Sequence, residues 1–212
     1  MATFGELQTQ VSKRLLDPNN EAVSLSDVAS SINEAIAYWK FKRFWFNEVF
    51  DTATLTAQDG VIPLGAEFLV PSTEDDGFVI EYSGIRYPLT KISQPSYDSI
   101  WLQNGYGLPS AYARVGQEYL AYPLPDQAYT VRRHYLKEYQ NLSSDTDTND
   151  FTGYAPVLIR NWSLADLTAE FRQDDKMESY FRTRALKEYE NLQTMSRKSN
   201  ATGRILINSN LM

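Results

Sequence analysis

Cysteine is absent from this sequence, and histidine occurs once, at His134. Without thiols the chain has no disulfide framework, no thiolate metal site and no thiol nucleophile. With one imidazole it cannot build a Cys–His pair or a multi-histidine metal centre within one chain. Long apolar runs are also missing. No stretch approaches the roughly 18 residues a membrane span needs, and Met1–Asn20 has no apolar signal core, so neither export by a signal peptide nor a membrane-spanning segment is expected. A basic surplus is lacking as well. The formal charge is −7, whereas a surface that grips phosphates needs clustered Lys and Arg.

What the sequence does hold in excess is aromatics, with 14 Tyr, 10 Phe and 4 Trp. Tyr and Trp join a large apolar body to a polar tip and are enriched where proteins meet proteins. At 212 residues a chain buries roughly 70% of its unfolded surface, which is enough for a core without staples.

Thr3 and Glu6 have capping-box spacing, and Phe4, Leu7, Val11 and Leu15 fall on one face of a first helix that Asp17-Pro18 stops. A second helix starts at Ser24 or Ser26. Its apolar period (Val28, Ile32, Ala35, Ile36, Trp39, Phe46) carries it to about residue 46. Short β-rich stretches follow: Thr52–Ala57, Phe78–Tyr82, Ile85–Leu89, Tyr112–Val115, Tyr119–Tyr122 and Tyr129–Leu136. Turn pairs such as Asp59-Gly60 and Ser83-Gly84 separate them, and Tyr97–Gln103 reads as a short helix. After a polar loop at Ser143–Asp150 come two helices, Tyr154–Arg172 and Asp175–Arg197. The first is apolar almost all round and therefore buried. The second carries a stripe of Met177, Phe181, Ala185, Tyr189 and Leu192, with i,i+4 charge pairs Glu178–Arg182 and Arg184–Glu188 on its wet side. The expected fold class is α+β: a four-helix bundle of two N-terminal and two C-terminal helices, with an inserted antiparallel β module and an extended C-terminal arm. The corresponding segments are 1–50, 51–140, 141–198 and 199–212.

Candidate chemistry is sparse. His134 reads as a surface or cross-strand histidine, with no nucleophile elbow to serve. Asp145, Asp147 and Asn149 imitate the start of a calcium loop, but Asp150 stands where the loop needs Gly and Pro156 where it needs Glu. Asx-type turns leading into the next helix fit better. Glu74-Asp75-Asp76 and Asp174-Asp175 read as solvated turn carboxylates. Gly105-Tyr106-Gly107 precedes Leu108-Pro109 and no helix, so it is no phosphate cradle. The run Tyr38–Phe46 mixes basic and aromatic residues as single-stranded nucleic-acid sites do, yet core and subunit contact suit the acidic total better. No catalytic residue, cofactor or metal is expected.

Three groups of residues carry a family likeness. Phe4-Gly5-Glu6-Leu7, Ile32-Asn33-Glu34-Ala35-Ile36 and Arg43-Phe44-Trp45-Phe46-Asn47-Glu48 form the N-terminal group. The β region adds Gly107-Leu108-Pro109, Tyr112, Tyr122-Pro123-Leu124-Pro125-Asp126 and Tyr129. Leu142-Ser143, Asp147-Thr148-Asn149 and Leu158-Ile159-Arg160 complete the set. In this order and spacing the chain resembles the head-to-tail adaptor (connector, neck) proteins of tailed bacteriophages, those of short-tailed phages above all. The resemblance implies a non-enzymatic virion protein, assembled in the host cytoplasm, that forms a ring of twelve copies on the portal protein. The ring would extend the DNA channel, let the genome pass without specific binding, and dock tail or nozzle proteins away from any membrane. Two other readings stay open: a glycan-binding or glycan-cleaving virion module, and another neck or tail component such as a stopper or tail-tube subunit.

Arg204-Ile205-Leu206-Ile207-Asn208 is a short β-prone run after the hinge residue Gly203, with Leu211 beyond it. The expectation is an arm, disordered in the free subunit, that adds as a strand or wedges into the portal or a neighbouring adaptor.

Overall fold

The computed structural model describes residues 1–15, 22–72, 77–101 and 105–202, with the side chains of 101 and 199–202 left aside. The fold is α+β. The described residues divide into a helical unit, 1–47 with 139 onward, and a β unit, 48–138. Among them no helix is long and apolar enough to cross a membrane.

The helical unit starts with α1 (Phe4–Arg14), capped by the Thr3–Glu6 box, and α2 (Leu25–Trp39), capped by a Ser24–Asp27 box. Phe4 N–H donates to the carbonyl of Asp147 and Gly5 N–H to that of Asp145. The approach is so close that a Cβ on Gly5 would sit 2.9 Å from Asp145 Cβ, which accounts for glycine there. The amide of Asn33 acts as one rung of a ladder, donating to Leu142 O and accepting from Leu142 N–H.

The second helix is shorter than its periodicity implies. It ends at Trp39, and residues 40–47 fold into a turn around the buried Asn47. Asn47 Oδ1 accepts from Phe44 N–H, and its Nδ2 donates to the carbonyls of Lys40 and Lys42. These bonds satisfy backbone groups that a continued helix would have paired internally.

An unexpected short helix, α4 (Asp150–Tyr154, capped by Asn149), ends where the helix Tyr154–Arg172 was expected to begin, and that helix is α5 (Pro156–Leu167) followed by a π-helical turn at Thr168–Arg172. Pro156 lacks the N–H that would continue α4, yet its fixed φ suits the first position of α5. At the other end Gln173 is left-handed, with φ 51°, and α6 (Asp175–Thr202) begins after it. The last helix α6 and the two N-terminal helices pack against α5. Ser31 and Ser163 bridge α2 and α5 reciprocally, each hydroxyl donating to the other's carbonyl. The core runs from Phe4, Leu7 and Val11 through Ile32 and Trp39 to Leu158, Leu164, Phe181 and Leu192. Two expected core residues, Phe171 and Met177, are exposed: Phe171 lies in the π turn, and Met177 in the first turn of α6, one turn before the buried Phe181.

The β unit centres on a five-stranded antiparallel sheet. Its long strand β10 (Tyr129–Lys137) pairs with β1 (Glu48–Leu55), β2 (Phe68–Pro71) and β3 (Phe78–Tyr82), and β3 pairs with β4 (Ile85–Pro88). A second sheet joins β5 (Thr90–Lys91), β7 (Ala111–Val115) and β8 (Glu118–Tyr122). Between β5 and β7 lies α3 (Gln94–Trp101), close to the short helix expected there. Two-residue strands β6 (Tyr106–Gly107) and β9 (Leu124–Pro125) pair with each other. The module is not wholly antiparallel, since β5–β7 and β6–β9 run parallel. Its core is Leu55, Ile62, Phe78, Ile80, Tyr112, Tyr119 and Val131 with their neighbours.

One ion pair ties β1 to β10. The buried Arg133 guanidinium makes a two-pronged contact with Asp51, Nε to Oδ1 and Nη2 to Oδ2, both 2.6 Å, while Tyr135 Oη donates to Asp51 Oδ2 at 3.0 Å. Arg133 Nη1 donates to Pro63 O as well. Removing one partner of such a pair leaves a desolvated charge behind. Asp51→Ala is expected to destabilise the β unit by about 3 kcal/mol, measured by urea denaturation, with Asp51→Asn losing about half as much.

Candidate partner-binding surfaces

The residues proposed from sequence to hold a partner, Arg204, Ile205, Leu206, Ile207, Asn208 and Leu211, lie outside the described residues. The surfaces that can be described belong to the two units separately.

The rings of Tyr38–Phe46 are mostly committed to the helical core. Trp39 is 2% exposed and packs on Trp162 and Tyr189, each at 4.9 Å between centroids. Phe44 is fully buried, stacked on Phe46 at 5.0 Å and edge-on to Phe151. Trp45 is half-buried, with its backbone N–H donating to Ser196 Oγ. Tyr38 lies on Trp162 at 4.6 Å and stays half exposed, and Phe41 points outward with Lys40 Nζ 5.5 Å from its ring. Too few rings remain outside to form the stacking platform that single-stranded nucleic acid needs.

His134 is not a surface histidine. It is buried on β10, its Nε2 3.1 Å from Glu48 Oε1, and Phe50 covers its ring at 3.8 Å. Ser72 Oγ donates to the same Glu48 oxygen at 3.0 Å. The pairing follows from register, since Phe50 is opposite His134 and Glu48 two residues along β1.

The carboxylates of the 143–150 loop serve the backbone. Asp147 Oδ2 accepts from the N–H groups of Ser143 and Ser144, and these bonds hold its carboxyl below the usual carboxylate range. Asn149 caps α4 reciprocally with Thr152, and Asp150 accepts from Tyr139 Oη. Asp174 Oδ1 accepts from the N–H groups of Lys176 and Met177 at the start of α6. Glu74-Asp75-Asp76 falls on residues 73–76, outside the described ones. Among the described residues no group of three or more His, Cys, Asp or Glu is placed to hold a metal ion.

Large side chains face outward on both units: Phe50 (68% exposed), Ile85 (56%) and Tyr106 (60%) on the β unit, and Phe41, Tyr180 and Met195 on the helical unit. Outward aromatic and Met side chains are the composition of protein–protein contact surfaces.

The charges on α5 and α6 divide into two groups. Arg182 donates to Asp166 at 2.8 Å and to Glu178 at 3.3 Å, with its guanidinium 4.3 Å from the Trp162 ring. Burial nevertheless raises the Asp166 pKa, Arg182 offsetting only part of the desolvation. Arg184 takes a different direction. Its expected partner is Glu188, but its Nη1 donates back to Tyr180 Oη at 2.6 Å, with the guanidinium 5.4 Å from that ring.

A family model described as SU10 adaptor protein matches residues 2–205, which takes in both units. No curated protein sequence matches the chain.

Proposed function

Given that the chain belongs to the SU10 adaptor protein family, we propose that this phage adaptor builds a ring on the portal of the capsid, extends the DNA channel and docks the tail. The observation that carries the reading is the extent of the family match, residues 2–205, nearly the whole chain. The adaptor family supports a structural role in the virion, and contact with portal and tail belongs to the proposal.

The finer parts of the reading rest on physical fit. Outward aromatics on both units suit repeated protein contacts. Twelve copies at −7 each carry about −84, and an acidic lining repels the DNA backbone, so that the genome slides without sticking. Arg204–Asn208 and Leu211 serve in this reading as the segment that engages the portal or the adjacent adaptor.

Electron microscopy of the purified protein, alone and mixed with its portal, tests the proposal. Rings of the adaptor are expected on one end of the portal. A protein that leaves the portal bare, or that assembles only into tubes by itself, overturns the ring reading.

A further inference from the structure

The main sheet of the β unit has two outer strands, β1 and β4. Strand β4 is blunted against further pairing: it is four residues long, carries Arg86 and ends on Pro88, which has no N–H to offer. Strand β1 has none of these devices. Its eight residues pair with β10 in unbroken register, from Glu48 opposite Leu136 to Leu55 opposite Tyr129, without a bulge, a proline or a lysine. On its other side Val49–Leu55 makes no backbone hydrogen bond to any described residue. Phe50 on this edge is 68% exposed, and Thr52 and Thr54 beside it are exposed as well.

An open edge of that length is a template for one more strand, because every second residue turns its N–H and C=O away from β10. The chain also holds a β-prone run that no described sheet contains. The runs of this kind read from the sequence lie in β1, β3, β4, β7, β8 and β10, except Arg204–Asn208, which follows α6 and lies outside the described residues. At roughly 3.3 Å per residue this run would span about 17 Å as a strand, within the roughly 23 Å of Val49–Leu55. It holds no proline, and its one charged side chain, Arg204, is opposite in sign to the Glu48 and Asp51 carboxylates of β1.

We propose that the outer edge of β1 receives the Arg204–Asn208 run of a second copy as an added strand, so that each adaptor straps its neighbour. Main-chain hydrogen bonds supply the grip, and alternate aliphatic side chains of the run lie beside Phe50, Thr52 and Thr54, which share one face of the sheet. The open edge carries the site itself; the choice of a second copy over the same subunit rests on the adaptor-ring reading. Subunits strapped in this way hold the portal as one body, so losing the strap also loses the portal.

Because the chain has no cysteine of its own, disulfide trapping reads the contact in the full-length protein. Thr52→Cys, on the open edge, is mixed with Ile205→Cys, Leu206→Cys or Ile207→Cys in the presence of the portal and mildly oxidised. The linked peptides are identified by mass spectrometry. Opposed residues of paired strands lie about 4.5–5.5 Å apart between Cα atoms, within disulfide reach. One strand face carries every second residue, so either Ile205 and Ile207 or Leu206 is expected to link to Thr52, and not all three. Arg86→Cys on the blunted β4 is expected to link on the order of tenfold less with any of them, since only a docked strand raises the local thiol concentration. Equal yields at the three positions, or equal yields from Thr52→Cys and Arg86→Cys, mark random collision and overturn the proposal. A disulfide that forms within one chain carrying both cysteines, and not between chains, places the run on its own subunit and overturns the second copy. Electron microscopy of the same mixtures separates the two readings. Rings on the portal without a link to Thr52 leave the ring standing and sink the strap, whereas no ring even from the wild type sinks the ring.

Discussion

Trp39→Ala is expected to destabilise the helical unit by about 3–4 kcal/mol, seen as a lower urea midpoint with little change in slope. Truncating a buried aromatic costs about 3–5 kcal/mol in lost transfer energy and residual cavity. Trp39 sits at the end of α2 between Tyr38, Trp162 and Tyr189, with centroids about 5 Å away on every side. Those rings belong to three different helices, so the cavity cannot close without moving a backbone. One factor works in the other direction. The indole Nε1–H is buried without a partner, and removing it returns on the order of 1 kcal/mol, which places the expectation low in the range. Trp39→Phe keeps most of the ring and discards the orphan donor, so a loss of about 1–2 kcal/mol is expected. If Trp39→Ala keeps its stability and fails only in assembly, the ring belongs to an interface and not to the core.

The helical half was legible where the signal is local. The boxes Thr3–Glu6 and Ser24–Asp27 fix two helix starts because side chain and backbone meet three residues apart. The period of α2 runs past its true end because Phe44 and Phe46 fall at helical spacing while serving as core residues of a turn. What stops the helix is Asn47, whose three bonds to residues 40–44 have no periodic signature. The break at Ala155-Pro156 was written in the sequence as proline, but an apolar run on both sides masked it.

In the β unit the alternating stretches stood out, and β3 occupies the expected Phe78–Tyr82. Strand β2 did not, since Phe68-Leu69-Val70-Pro71 has no alternation and ends on a residue that strands avoid. His134 was expected as a surface or cross-strand histidine; it is cross-strand and buried, and its partners were not legible. Alternation says which face a strand residue takes, but the neighbours Glu48 and Phe50 come from a strand more than eighty residues away. The expected Arg184–Glu188 pair is replaced by another local one, with Arg184 donating to Tyr180 four residues back on α6, a choice of i−4 over i+4 that spacing alone does not decide.

Deleting residues 203–212 is expected to leave the thermal melt of the free subunit nearly unchanged and to abolish portal binding. The first half rests on the described residues, among which each unit already has a core of its own, that of the helical unit running to Leu192. The second half follows from composition. Ile205, Leu206 and Ile207 are three adjacent branched aliphatics within a run of β-forming residues. Burying most of their side-chain area against a partner offers on the order of 4–7 kcal/mol before the cost of ordering the segment is subtracted. A partner's exposed strand edge would add main-chain hydrogen bonds, while alternate side chains set the fit. In the proposed ring the contact would repeat in every subunit, so that even a small net gain per arm would become decisive for the assembly. Replacing Ile205 and Ile207 together by Ser discriminates further, since it removes the apolar surface of one strand face and keeps the length and the backbone bonds. That variant is expected to bind the portal on the order of a hundredfold more weakly in a pull-down titration, at an unchanged melting temperature. A truncated chain that still docks normally removes the arm from the mechanism, and a truncated chain that melts much earlier places these residues in the subunit's own core.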